Sequence, residues 1–332
     1  MTSRESREAG DASSKPPSTQ PRIRAPWLRP DHRNLLLGLA FISPWLIGFV
    51  AFTLYPMLAS LYYSFTDFKI LDAPKWVGLD NYTHMFKDPL FWKSLTNTLY
   101  LTLIGTPLAV FVALGIALLL NTKGLRGIGL FRTFFFLPVI FPIVASSILW
   151  LWLLNPPYGL LNQMLGLIGI KGPGWFYDAN WAKNGIILMT IWGAGDVVII
   201  YLGALQGVPR SLYEAAEIDG AGPWTRFWNV TVPMISPAIL FNLITQGIGA
   251  FQSFTQAYIV SSGISNGGSA AAVGGTQNSL LFYVLNLYNN AFRYFHMGYA
   301  SALAWVLFII ILTATFGLFR LSRGRVYYEG GE

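Results

Sequence analysis

Hydrophobic residues in this chain fall into long charge-free runs separated by short polar segments. Asp, Glu, Lys and Arg are all missing from 34–66, 94–122, 133–170, 227–292 and 294–319, and Asp196 is the only charge between Lys183 and Arg210. About 20 helical residues cross the hydrocarbon of a bilayer. The pattern therefore predicts six spans, roughly 36–63, 95–120, 131–154, 185–206, 234–260 and 298–320. The expected fold is all-α and integral to a membrane, with a membrane domain at 35–320 between tails at 1–34 and 321–332. Pro44 and Pro56 interrupt the first span, and Pro138 and Pro142 the third. Such prolines either kink a pathway or simply pack, because neighbouring groups can satisfy the freed carbonyls.

Composition agrees. The chain is 54% hydrophobic and 11% charged, too little charge to coat a soluble protein of 332 residues. The cations add a direction. Fifteen of the 22 lie before the first span, in 123–132, in 210–226 and at 320–325, and seven lie in the alternate loops. The positive-inside rule places both termini and the 207–233 loop in the cytoplasm. The net charge of +7 is then a topology signal and implies no nucleic-acid partner. Residues 1–34 are rich in Ser, Pro and Arg and read as a disordered tail. They do not read as a signal peptide, because the apolar run after Arg33 is too long and lacks a small-residue cleavage site.

Several chemistries drop out. There is no cysteine, hence no disulfide, thiolate metal site or Cys nucleophile. His32, His84 and His296 flank spans or sit in loops, and Glu214, Glu217 and Asp219 cluster without a His or Lys partner, so no catalytic or metal site is expected. No G-x-x-x-x-G-K-[ST] occurs, so the chain itself should bind no ATP or Mg.

The polar segment between the fourth and fifth spans carries the most distinctive pattern. Ser211 and Glu214 form an S-x-x-E capping box that predicts a helix from Leu212. Gly220 suits its left-handed stop, and Pro223 the first position of the next helix. The product is a helix–turn–helix knob over 212–230 whose Ala/Gly face permits close approach by another protein. Glu214, Ala215, Ala216, Asp219, Gly220, Ala221, Phe227 and Pro233 resemble the EAA coupling motif of ATP-binding-cassette importer permeases. The stretch Gly78-Leu-Asp-Asn-Tyr82, Phe91-Trp92 and Asn97-Thr98 resembles the segment before the second span in the carbohydrate-uptake branch of that family.

The resemblance implies a type I importer permease in a bacterial cell membrane. It further implies a second six-span permease subunit, two ATPase subunits that bind ATP and Mg, an extracytoplasmic solute-binding protein, and a sugar as cargo. The knob would dock in a cleft on one ATPase. Loop 261–277 reads as flexible, and 278–292 as a short helix at the outer face that either receives the binding protein or lies there passively.

Inside the fifth span Asn242, Gln246, Gly249, Ser253 and Gln256 recur at spacings of 4, 3, 4 and 3. At 100° per residue they fill an arc of about 80°. Uncharged amides and hydroxyls suit a sugar, with Phe251, Phe254 and Tyr258 close by; the other reading is interhelical glue. Asp196 either accepts from sugar hydroxyls or is structural, since a carboxylate at membrane depth faces a cavity or partner. An anionic cargo such as glycerol phosphate would want a fixed cation, and the spans hold none; a polyol remains open. An ion-coupled secondary transporter would want several intramembrane ionisable groups and would leave the knob without purpose.

Overall fold

The computed structural model describes residues 32–122, 126–264, 274–324 and 326. Most of the predicted N-terminal tail, much of the C-terminal one and 265–273 of the flexible loop lie outside the described residues. Contacts divide the chain into two units, 1–56 and 57–332. In the first, helix α1 (His32–Phe49) continues through Pro44 and stacks Trp45 on Phe49 at 5.5 Å. It leads through a widened turn at Val50–Leu54 into α2 (Tyr55–Ser64).

The second unit continues with α3 (Asp80–Lys87), α4 (Pro89–Tyr100), α5 (Thr106–Leu120), α6 (Ile128–Ile140), α7 (Ile143–Leu153) and α8 (Leu160–Leu167). Then come α9 (Ala182–Trp192), α10 (Gly195–Gly207), α11 (Arg210–Ile218), α12 (Pro223–Arg226) and α13 (Val232–Phe251). The last are α14 (Thr255–Ile264), α15 (Tyr283–Tyr288) and α16 (Met297–Ser322). Four helices are long and apolar enough to cross a membrane: Leu37–Ser64, Pro89–Leu120, Pro223–Phe251 and Met297–Ser322. The bent pairs α6–α7 and α9–α10 bring the number to six if each is one span. A two-stranded antiparallel hairpin, Thr66–Asp67 with Lys75–Trp76, departs slightly from the all-α expectation.

Prolines shape these helices in two ways. Tyr55, Thr106 and Val232 each donate their N–H five residues back, to the carbonyls of Val50, Leu101 and Phe227, and each immediately precedes a proline: Pro56, Pro107 and Pro233. A proline ring crowds the carbonyl four residues before it and supplies no N–H. The wider i→i−5 turn relieves that crowding without ending the helix. Pro142 acts differently. It forces Phe141 into extended backbone (φ −72°, ψ 132°), and α7 leaves α6 at 106°.

Three clusters of buried side chains hold the second unit together. In one, α5 presents Val110, Ala113, Leu114 and Ala117 to Val197, Val198 and Tyr201 of α10. Small residues at this interface let the backbones approach closely, which replaces the hydrophobic drive that lipid removes. Residues 278–292 contain the expected short helix, α15, but much of the segment is packed inside the unit. Leu280, Leu281, Phe282 and Leu285 are fully or nearly fully buried in a second cluster, and Tyr283 in the third.

The Gly-Leu-Asp-Asn-Tyr and Asn-Thr stretches act as clamps. Asn81 Nδ2 donates to the carbonyls of Ser64 and Thr66, both at 2.9 Å, and Tyr82 shares a 2.8 Å hydroxyl pair with Ser64. Asn97, almost wholly buried, donates to the carbonyls of Asn278 (2.8 Å) and Leu281 (3.0 Å), while Thr98 accepts from the Tyr283 N–H. Asn97→Ala and the near-isosteric Asn97→Asp each remove both donors. Each should cost about 1–3 kcal/mol for the stranded carbonyls, read as a lower apparent Tm of the purified protein in detergent. A Tm unchanged in both variants counts against the clamp.

Candidate functional site

Three helix breaks face one cavity of about 450 Å³ in the second unit. Phe141 and Ile143 come from the α6–α7 bend, Gly193, Ala194 and Asp196 from the 45° bend between α9 and α10, and Gln252, Ser253 and Phe254 from a gap between α13 and α14. That gap corrects the predicted fifth span: the helix stops at Phe251, so the polar stripe does not run along one helix. Non-helical backbone in a membrane protein is tolerated where it lines a cavity, and the three breaks share this one.

Asp196, Gln246, Gly249, Ser253 and Gln256 all line the cavity. Gln246 Nε2 donates to Asp196 Oδ2 at 3.2 Å. A Cβ placed on Gly249 would meet nothing within 4 Å, which leaves its backbone open to the space. Asn242 falls outside the group. It is fully buried beside Tyr201, and its Nδ2 donates to the Ala238 carbonyl at 2.9 Å. Phe251 also turns away, into the cluster of Met85, Phe91 and Tyr283.

Of the three aromatics expected near the path only Phe254 lines the cavity, and the rest of the aromatic surface comes from residues the sequence did not single out. Trp150, Trp192 and Phe141 line the cavity with Phe254. Phe141 lies nearly parallel to Trp192 at 6.3 Å, and Phe254 stacks on Tyr258 at 5.4 Å. The overlooked signal was an aromatic flanking each helix breaker, Phe141 before Pro142 and Trp192 before Gly193. Asp196 is held in place by its neighbour, because Gly195 packs α10 against α6. A Cβ on Gly195 would sit 2.6 Å from the Phe135 carbonyl oxygen.

The elbow between α10 and α13 differs from its prediction at the start and agrees at the turn. Helix α11 begins at Arg210 with Pro209 as its N-cap and no side-chain cap, so the Ser211–Glu214 capping box does not form. Pro209 fixes extended backbone two residues before the box would begin, which places Ser211 inside the helix. At the other end Gly220 is left-handed (φ 77°); its N–H reaches the Glu217 carbonyl, and the Ala221 N–H the Ala216 carbonyl. Those two bonds are a Schellman stop.

Pro223 opens α12, as expected, but this arm is no separate helix: Pro223–Phe251 is continuous. Tyr213 and Thr231 join the arms through a 2.9 Å hydroxyl pair, and Arg226 lies 3.4 Å from Glu217. Glu214 and Glu217 line a groove of about 680 Å³ with Tyr213, Arg210 and Arg226. Ala215, Asp219 and Gly220 are exposed, whereas Phe227 and Pro233 are half-buried in the second arm.

A helical bundle whose broken helices meet at a polar cavity with one carboxylate in its lining, and an exposed elbow at the start of a continuous helix, has the architecture of a polytopic solute permease. The profile of the family described as "Binding-protein-dependent transport system inner membrane component" matches residues 91–326, and the chain belongs to that family. It is an ABC transporter permease. Among curated relatives it is 42% identical to the probable ABC transporter permease protein YesP of Bacillus subtilis (strain 168), over 90% of this chain and 94% of that one. It is 37% identical to the lactose transport system permease protein LacF of Rhizobium radiobacter, over 87% and 94%. Its fold matches a chain in the crystal structure of a bacterial ABC transporter involved in the import of the acidic polysaccharide alginate, with TM-score 0.69 at 24% identity, covering 88% of this chain and 96% of that one. The architecture is that of a type I importer permease.

Because the chain has no cysteine, single cysteines report on the cavity. Ser253→Cys and Gln256→Cys should react with a water-soluble maleimide at least tenfold faster than Asn242→Cys and Phe251→Cys, measured by mass spectrometry. Equal rates at all four positions contradict the cavity lining.

Proposed function

We propose that this chain is one of two permease subunits in an ATP-driven importer of a sugar, delivered by an extracytoplasmic binding protein. It spans a bacterial cell membrane six times, each bent pair crossing once, with both termini and the elbow in the cytoplasm. The observation that carries the reading is the convergence of three broken helices on a cavity of amides, hydroxyls and aromatic faces. Such groups match sugar hydroxyls, which donate and accept, and flat sugar rings. The lactose permease relative supports the cargo class. The cation distribution supports the orientation.

The elbow docks on one of two ATPase subunits that bind ATP and Mg, through Glu214, Ala215, Ala216, Asp219, Gly220 and Ala221. Phe227 and Pro233 lie in the helix that carries the movement away. Closure of the ATPases swings the spans between inward- and outward-facing states, and the half-path formed here is completed by the second permease subunit. Asn242 supports the path from behind, through its contact with Tyr201 of α10, and does not line it.

Gly220→Val puts a β-branched residue at φ 77°, a backbone region it disfavours, and Glu214→Lys makes a groove that balances two Glu against two Arg net positive. Each should lower ATP-dependent sugar uptake into proteoliposomes more than tenfold while the amount of inserted protein is unchanged. Wild-type uptake in both variants refutes the docking role. Uptake that persists without ATP and collapses with an ionophore would refute the primary importer.

A further inference from the structure

We propose that Asp196 makes the cavity a charge filter, admitting uncharged saccharides and turning anionic ones away. The inference rests on the cavity being the sugar path and adds to that reading the residue that discriminates.

Asp196 is the single ionisable side chain lining the cavity. It is exposed to that space, with no cation within ion-pair distance; among the described residues the ion pairs are Lys69–Asp67 and Arg226–Glu217. Among the described residues its hydrogen-bond partner is the amide of Gln246, a neutral donor on Oδ2, which leaves Oδ1 available to a ligand. The close packing of Gly195 on the Phe135 backbone fixes where the carboxylate sits. The first turn of a helix, where Asp196 lies, also favours a negative charge.

A neutral sugar meeting this wall donates hydroxyl hydrogens to the carboxylate, a charge-assisted bond. A carboxylated or sulfonated sugar brings a second negative charge within a few ångströms, and beside protein like charges repel several times more strongly than in bulk water. No lining Lys or Arg offsets that repulsion. The fold alone does not dictate this outcome: the alginate transporter has the same architecture and imports an acidic polysaccharide.

Ser253→Cys provides a single thiol on this chain inside the cavity. In the assembled importer, its modification by an uncharged maleimide is followed by mass spectrometry, with lactose or its aldonic acid lactobionate as protectant. Lactose should protect at a concentration at least tenfold lower than lactobionate. On the same background Asp196→Asn should bring the two within about threefold, whatever its effect on lactose, and Asp196→Lys should reverse their order. Should the variants fail to assemble, raising KCl from about 50 to 500 mM should narrow the gap in the parent by screening. Equal protection by both sugars, a gap that survives Asp196→Asn, or a gap that salt does not move overturns the filter and leaves the path standing. Protection by neither sugar overturns the path reading and the filter with it.

Discussion

The structure depends on one constraint: in lipid every backbone N–H and C=O must find its partner within the protein. A helix meets that demand automatically, so each interruption carries a penalty and has to be placed where other polar groups compensate. This chain interrupts three of its helices, at Phe141–Pro142, Gly193–Ala194 and Gln252–Phe254, and gathers all three breaks around one space. The breaks bring together polar and aromatic side chains: Gln246, Ser253, Gln256, Asp196 and the rings of Trp192 and Phe141. Polarity of the backbone and polarity of the site therefore have a common origin.

The three proline-linked turns at Val50–Leu54, Leu101–Gly105 and Phe227–Thr231 meet the same demand by the opposite route. They absorb a proline while keeping the helix intact. One of them, Phe227–Thr231, lies between the elbow and the long helix that reaches the cavity, and Tyr213 pairs with its last residue, Thr231. The elbow's first arm is thus attached to its second through side chains as well as through the Gly220 turn. The short i→i−5 turn is the least regular stretch between Pro223 and Gln246.

Much of this was legible in the sequence, for identifiable reasons. Charge-free runs mark spans because lipid tolerates few ionised groups, and each predicted span has a helix or bent pair at its place. Gly220 and Pro223 were readable because their backbone restrictions are intrinsic. The capping box was not, because Pro209 outcompeted it for the helix start. The end of the fifth span was hidden: Gln252-Ser-Phe254 contains no Gly or Pro, and tertiary packing makes the break. That break put Ser253 and Gln256 in the cavity by a different route from the helical stripe that predicted them, and sent Asn242 and Phe251 elsewhere. The burial of Tyr283 and Leu285 was equally unreadable, since it depends on α4 and α16 arriving from distant parts of the chain.

Continuity of the elbow's second arm with the helix that ends at Phe251 has a geometric consequence. Twenty-nine residues of helix form a rod about 44 Å long at 1.5 Å per residue. Tilting such a rod by about 5° about one end carries the other end through about 4 Å, close to the width of a sugar ring in cross-section. With Trp224 at the pivot, the same tilt carries Gln246 and Gly249, about 33 and 38 Å further along, through about 3 Å.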